Sequence, residues 1–269
     1  MTLPFTKAHA YGNDFLYVIK RDVETIALDA LAREMCDRHT GIGADGLIVY
    51  ERRREEIAMR LFNADGGTAE VSGNGVRALG ALVLLDDPRP DAGIRVLTGA
   101  GVKTLTRTGR DGVRQTFCAA MGSPAGLRRA SLAVQGEQLD VVVLNMGNPQ
   151  CVLLGPLPGR ERFASLGGAL EHHEAFPQGT NVEFVEVERG DCLRILIWER
   201  GVGLTASSGT GSCASLVAAA AYGGADRDAE VVAPGGSQRV EWRADGVYLT
   251  GWAEMICEGR WIRPLPAAR

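Results

Sequence analysis

Ile57-Ala-Met-Arg-Leu-Phe-Asn-Ala-Asp-Gly-Gly-Thr-Ala-Glu-Val-Ser-Gly-Asn-Gly-Val76 lies without a gap over Leu193-Arg-Ile-Leu-Ile-Trp-Glu-Arg-Gly-Val-Gly-Leu-Thr-Ala-Ser-Ser-Gly-Thr-Gly-Ser212, an offset of 136 residues (193 − 57). Each stretch opens as a β-like run closing on bulky apolar residues, Leu61-Phe62 and Ile197-Trp198. Each then passes a polar residue, Asn63 or Glu199, and a Gly-containing loop to reach Ser-Gly-x-Gly, at Ser72 to Gly75 and Ser208 to Gly211. Behind each turn comes an Ala-rich apolar segment, Val76 to Leu85 and Ser212 to Tyr222. These read as buried helices ended by Asp86-Asp87-Pro88 and Gly223-Gly224. Strand, loop, turn and helix recur in one order, which marks an internal duplication.

Working outward, Tyr11-Gly-Asn-Asp-Phe15 matches Met146-Gly-Asn-Pro-Gln150 at an offset of 135 (146 − 11), each ahead of a short apolar strand. Gly41 to Gly46 and Gln178 to Asn181 each precede alternating residues, Leu47-Ile-Val-Tyr50 and Val182-Glu-Phe-Val185. Turn formers in Met121-Gly-Ser-Pro-Ala-Gly126 interrupt the pattern, which predicts domains over 1–120 and 121–269. The extreme C-terminus has the option of packing back on the first domain. Many short strands with one apolar helix per half predict an α+β fold. Its plan is two pseudo-symmetric duplicated domains, each of mostly antiparallel strands wrapped around a central buried helix, with the active site in the cleft between them.

The net charge is −4 and no basic run exceeds Arg52-Arg53-Arg54, which argues against a nucleic-acid partner and for a small-molecule ligand. The apolar stretches Ala78 to Leu85 and Leu216 to Ala221 fall far short of the ~20 residues a membrane span needs. The N-terminus has no basic-then-apolar signal, so no membrane partner and a cytoplasmic location are expected. Six cysteines (Cys36, Cys118, Cys151, Cys192, Cys213, Cys257) show no CxxC spacing and read as buried free thiols. His172 and His173 are adjacent and point apart on a regular element, so no metal site is expected.

The chemistry gathers at the twin turns. A helix start leaves backbone N–H groups without intrahelical partners and carries partial positive charge, which makes it an anion site. Ser72 and Ser208 stand at N-cap-like positions, and the glycines after them let backbone approach a ligand closely. Serine is a favoured cap, so either turn alone could merely start a helix. Capping does not, however, require Asn63 and Glu199-Arg200 one loop upstream at matching positions, and the duplication therefore favours a shared ligand site.

The ordered motifs resemble the diaminopimelate epimerase family over nearly the whole chain. They are Lys7 to Phe15, Cys36-Asp-Arg-His-Thr-Gly-Ile-Gly-Ala-Asp-Gly-Leu-Ile48, Phe62-Asn-Ala-Asp-Gly66, Ser72-Gly-Asn-Gly75, Gly147-Asn-Pro149, Gly179-Thr-Asn-Val182, Trp198-Glu-Arg-Gly-Val-Gly203 and Ser208-Gly-Thr-Gly211. The resemblance implies a cofactor-independent epimerase that interconverts LL- and meso-diaminopimelate in lysine and peptidoglycan synthesis, by two-base proton transfer at Cα. It also implies a small-molecule amino-acid substrate, and it admits a homodimer. Ser72 and Ser208 take the catalytic positions. Asn13, Asn63, Gly73, Asn74, Asn148, Asn181, Glu199, Arg200, Gly209 and Thr210 become the expected substrate contacts.

The chain departs from the family pattern where it matters most, because both catalytic positions hold serine in place of cysteine. A thiol near pKa ~8.5 is readily shifted to thiolate at a helix start, whereas a hydroxyl normally needs a neighbouring base. Gln150 stands where the family usually has histidine, and Leu204 where it usually has glutamate. Cys213, five residues beyond Ser208, points about 140° away on a helix. Cys151 reads as strand packing. The sequence leaves several alternatives open: a working serine epimerase, an inactive or engineered substrate-trapping form, a silent amino-acid binder, and a related racemase, isomerase or dehydratase.

Overall fold

The computed structural model describes residues 2–267. The chain forms two compact units, one holding the residues up to Ala119 together with those from Trp252 onward, the other Ala120–Gly251. The first unit contains β1 (Leu3–Ala10), β2 (Asn13–Ile19), α1 (Leu28–Cys36), β3 (Gly46–Arg52), β4 (Ile57–Asn63), β5 (Thr68–Ala69), α2 (Gly73–Val83), β6 (Gly93–Thr98), β7 (Gly101–Asp111) and the start of β8 (Arg114–Gly122). The second contains β9 (Ala125–Val134), β10 (Glu137–Asn145), β11 (Pro149–Leu154), α3 (Arg160–Glu171), β12 (Asn181–Arg189), β13 (Cys192–Glu199), β14 (Gly203–Thr205), α4 (Gly209–Tyr222), β15 (Asp228–Ala233), β16 (Gly236–Arg243) and the start of β17 (Gly246–Trp261).

The duplication extends to the direction of the pairings. In the first unit β1·β2, β3·β4, β6·β7 and β7·β8 are antiparallel, while β2·β3 and β4·β6 are parallel. In the second, β10·β11, β12·β13, β15·β16 and β16·β17 are antiparallel, while β11·β12 and β13·β15 are parallel. Each unit is thus an α+β repeat of mostly antiparallel strands, as the patterning predicts. The second repeat does not run on to 269. From Glu254 to Trp261 β17 pairs antiparallel with β1, Leu3 opposite Trp261, and the part of this strand from Trp252 belongs to the first unit.

A helix sits in the main core of each unit. Val76, Ala78, Leu79 and Ala81 of α2 pack with Tyr17, Ile48, Leu61 and Phe117. In α4, Cys213, Ala214, Leu216, Val217 and Ala218 are fully buried among Val152, Val185, Ile195 and Val240. Small side chains all round let strands close on every face of the helix. Inside α4 the hydroxyls of Ser212 and Ser215 donate to the carbonyls of Ser208 and Gly211, both at 2.8 Å, so these buried groups are satisfied four residues back.

The helices begin at Gly73 and Gly209, earlier than Val76 and Ser212, because the Ser-Gly-x-Gly turn is itself the first helical turn. Each unit also has a second helix that the apolar-run reading does not anticipate. Leu31, Ala32, Met35 and Cys36 of α1 form one apolar stripe, as do Phe163, Leu166 and Leu170 of α3; both helices seal a second, smaller core. All six cysteines are free, but Cys257 is exposed and Cys118 half-buried, since both lie on strands with one face outside the core. Among the described residues no helix is long and apolar enough to cross a membrane.

Candidate active site

The turn of the first unit is held at the N-terminus of α2. Ser72 is extended (φ −125°, ψ 122°) and its Oγ accepts from the Gly75 backbone N–H at 3.1 Å, a standard cap. A Cβ on Gly75 would lie 2.8 Å from Ile48 Cδ1, whereas one on Gly73 would meet nothing within 4 Å. The turn is therefore packed from beneath and open in front. Tyr17 Oη donates to the Gly75 carbonyl at 2.9 Å from the buried side, and burial holds its pKa far above the ordinary phenol value.

A directional chain of side chains runs away from this turn. Arg77, fully buried, donates to Asn74 Oδ1 at 3.1 Å; Asn74 Nδ2 donates to Asn13 Oδ1 at 3.3 Å; Asn13 Nδ2 donates to Asp45 Oδ2 at 2.7 Å. Asp45 and Asp14 both accept from Arg38, and Lys7 pairs with Asp14 at 2.9 Å. Burial raises the Asp14 carboxyl, but the hydrogen bonds from Arg38 and Lys7 more than reverse it and leave its pKa below the usual range. A guanidinium only donates, so the orientations of Asn74 and then Asn13 follow from Arg77 at one end of the chain. Asp65 accepts from the Gly67 N–H at 2.7 Å. Asn63, exposed, ends β4 and closes that turn through its backbone.

The second unit repeats the cap. Ser208 is extended (φ −138°, ψ 128°), its Oγ accepts from Gly211 N–H at 3.1 Å, and Thr210 Oγ1 stands 3.5 Å from the same oxygen. The surroundings differ. Asn181 Oδ1 accepts from Arg200 N–H at 2.9 Å and its Nδ2 donates to Pro149 O at 3.2 Å, so this buried amide fixes the strand ends carrying its neighbours. Arg200 is exposed and donates to Gln178 O at 3.0 Å. Glu171, which sequence reading passes over, accepts at 2.7 Å from both Trp198 Nε1 and Gly201 N–H and so anchors the loop after Glu199-Arg200.

Beneath this turn lies a carboxyl that the sequence does not single out. Glu183 is 0% exposed, and a Cβ on Gly211 would sit 2.9 Å from its Oε1 and 3.2 Å from Ser208 Oγ. Desolvation, followed by the charge of Glu199, pushes its pKa well above the ordinary carboxylate value. Gln150, equally buried, spans from Glu183 to Asn148. The available signal is that Val182-Glu-Phe-Val185 alternates while both of its faces are buried, Val182 in one core and Val185 in the other.

In the first unit, then, Ser72, Gly73, Asn74 and Asn13 come together, with Asn63 at the neighbouring strand end. In the second, Ser208, Gly209 and Thr210 share one turn, while Asn148, Asn181, Glu199 and Arg200 lie on the adjoining ends of β11, β12 and β13. No cysteine substitutes for the serines. Burial, then Asp14 and Asp45, push Cys36 up to about 12, and burial, then Glu183, raise Cys151 as well. Cys213 is 0% exposed in the α4 core.

The family model described as diaminopimelate epimerase matches residues 5–125 and 142–256. The diaminopimelate epimerase of Synechococcus elongatus is 39% identical over 274 residues, covering 96% of this chain and 98% of its own. Diaminopimelate epimerase 1 of a Nostoc species is 39% identical over 278 residues (97% and 100%), and that of Halothermothrix orenii 33% identical over 278 (97% and 98%). Among solved structures, a predicted epimerase from Pseudomonas aeruginosa superposes with TM-score 0.73 at 13% identity, covering 97% of this chain and 100% of that one. A probable proline racemase from Agrobacterium radiobacter gives 0.72 at 17% (96% and 92%). These two share the fold.

Proposed function

The chain belongs to the diaminopimelate epimerase family, and from that premise we propose that it interconverts LL- and meso-2,6-diaminopimelate, with Ser72 and Ser208 as the two proton-handling groups. The observation that supports this reading is the repeated cap: in each repeat one serine Oγ sits at the start of a buried helix and takes a backbone N–H at 3.1 Å. One serine, as alkoxide, takes the α-proton, so that its O–H forms as the C–H bond breaks. The other hydroxyl delivers its proton to the opposite face of the carbanion and is left as alkoxide, ready for the reverse direction. Backbone N–H donation and the helix dipole favour the anionic form of each oxygen.

In this reading the substrate α-carboxylate takes the open N–H groups around Gly73-Asn74 and Gly209-Thr210, and Glu199 answers an ammonium. Asn13, Asn63, Asn148, Asn181 and Arg200 complete the contacts, the buried Asn181 by placing Arg200. The reaction calls on no cofactor. With the reading go a cytoplasmic setting and a homodimer, the latter checked by analytical ultracentrifugation.

The test is NMR of LL-diaminopimelate in heavy water with this chain and with the double variant Ser72→Cys, Ser208→Cys. Appearance of meso product with both enzymes, faster with the cysteines, is expected. Turnover by neither would sink the proposal. Binding without exchange by the serine form alone would leave a silent binder on an epimerase site.

A further inference from the structure

Asn148, Gln150 and Glu183 form a line from the half-exposed end of β11 to the buried floor beneath the Ser208 turn. Gln150 Nε2 stands 2.6 Å from Asn148 Oδ1. The other end of the same amide faces the Glu183 carboxyl, 2.8 Å from Oε1 and 3.3 Å from Oε2. With its nitrogen toward Glu183 the amide donates to a carboxylate; with its oxygen toward Glu183 the two oxygens need a proton between them. An amide can also be turned end for end, so the line has two self-consistent polarities.

In the first polarity Glu183 is a carboxylic acid. Its O–H donates to Gln150 Oε1, Gln150 Nε2 donates to Asn148 Oδ1, and the Asn148 NH2 is left to donate outward. In the second Glu183 is ionised and both amides are turned. Gln150 donates to the carboxylate, Asn148 donates to Gln150, and Asn148 shows its oxygen outward. The full burial of Glu183 beside another acid, Glu199, favours the first, and we infer that Glu183 is a positioning residue whose proton selects which end of Asn148 meets the ligand. A donor there suits a substrate carboxylate; an acceptor suits an ammonium.

The groups facing Glu183 favour the protonated form. From β13 comes Glu199, an acid; from β11 comes the Cys151 thiol, raised by burial and then by Glu183; the start of α4 brings the Ser208 hydroxyl and no acidic side chain. The contrast with the first unit is instructive. There a guanidinium, Arg77, stands at one end of the line through Asn74 and Asn13, whereas the line through Gln150 and Asn148 ends on a carboxyl alone.

The carboxylic-acid state is a property of the unliganded protein; the ligand consequence rests on the function proposed above. Infrared spectroscopy at neutral pH should show a protonated-carboxyl C=O band in the wild-type chain that Glu183→Gln removes. Side-chain amide NMR should show Asn148 and Gln150 moving together at alkaline pH in the wild type and staying still in that variant. Calorimetry with meso-diaminopimelate should show Glu183→Leu losing roughly tenfold in affinity, about one hydrogen bond to a charged group, with Glu183→Gln restoring most of it. The wild type should lose affinity at alkaline pH beyond the loss seen for Glu183→Gln, which serves as control for the ligand's own ammonium groups. Absence of the acid band, or amides that move equally in Glu183→Gln, would overturn the assignment. If no form binds diaminopimelate, the proposed function fails while the band and the amides still decide the state of Glu183.

Discussion

Ser72 and Ser208 each accept one backbone N–H and keep a hydroxyl proton, so a capping bond and a role in proton transfer are compatible in one side chain. Replacing either by alanine should cost about 1 kcal/mol through the lost cap, read as a shift in denaturant midpoint, and should abolish formation of the other epimer. Epimerisation that survives in both alanine variants would remove the serines from the chemistry. Glu183 gives a second prediction. Its folded-state pKa is raised above 4.5, so the native chain holds a proton that the unfolded chain releases. Stability associated with that proton is complete below about pH 4.5 and falls as pH rises, until Glu183 ionises in the folded state. Relative to Glu183→Gln, the wild type should lose about 1.4 kcal/mol per pH unit over that window. Denaturation curves that stay parallel from acid to neutral pH would show that Glu183 is not held protonated.

At the scale of elements, the strand–turn–helix unit was legible because its periodicity and its turn chemistry agree locally. Ile57 to Val76 and Leu193 to Ser212 each carry the whole pattern within twenty contiguous residues. The serine caps were legible for the same reason. What escaped the sequence depends on pairing between distant segments: Arg77 reaching Asn13 through Asn74, Glu171 anchoring Trp198, and Glu183 meeting Gln150. None of these has a local spacing. The short helices α1 and α3 were missed because their apolar stripes cover only one face and lack the continuous run that marks α2 and α4. The close approach beneath the turns is testable at this level. Ala at position 211 would push its Cβ to 2.9 Å from Glu183 Oε1, and Ala at 75 would press on Ile48 Cδ1 at 2.8 Å. Gly211→Ala and Gly75→Ala should each cost about 1–3 kcal/mol, the range of an overpacked core. Gly73→Ala meets open space and should be near neutral in stability. Equal costs at 73 and 211 would mean that the turns are not packed from beneath.

Across the full chain, β17 divides between the units, its start in the second and its part from Trp252 in the first. Glu254 to Trp261 pair with β1, and Trp261 is buried in the core that α1 seals. Ending the chain after Gly251 would leave β1 with an unpaired edge and open that core. Hydrogen exchange on such a truncated chain should show lost protection in β1, β2 and α1, with β12, β13 and α4 still protected. Uniform loss would mean that the two units do not hold their structure independently.

The proposal that one serine removes the α-proton and the other returns a different one is tested most directly by following isotope position early in turnover. Given LL-diaminopimelate in heavy water, the donating hydroxyl carries solvent deuterium while the abstracted proton leaves on the other serine. The first meso product should therefore carry deuterium at the inverted α-carbon while the remaining LL substrate keeps its proton. Early meso product that retains the original proton, or LL substrate labelled as fast as product forms, would contradict two separate proton-handling groups.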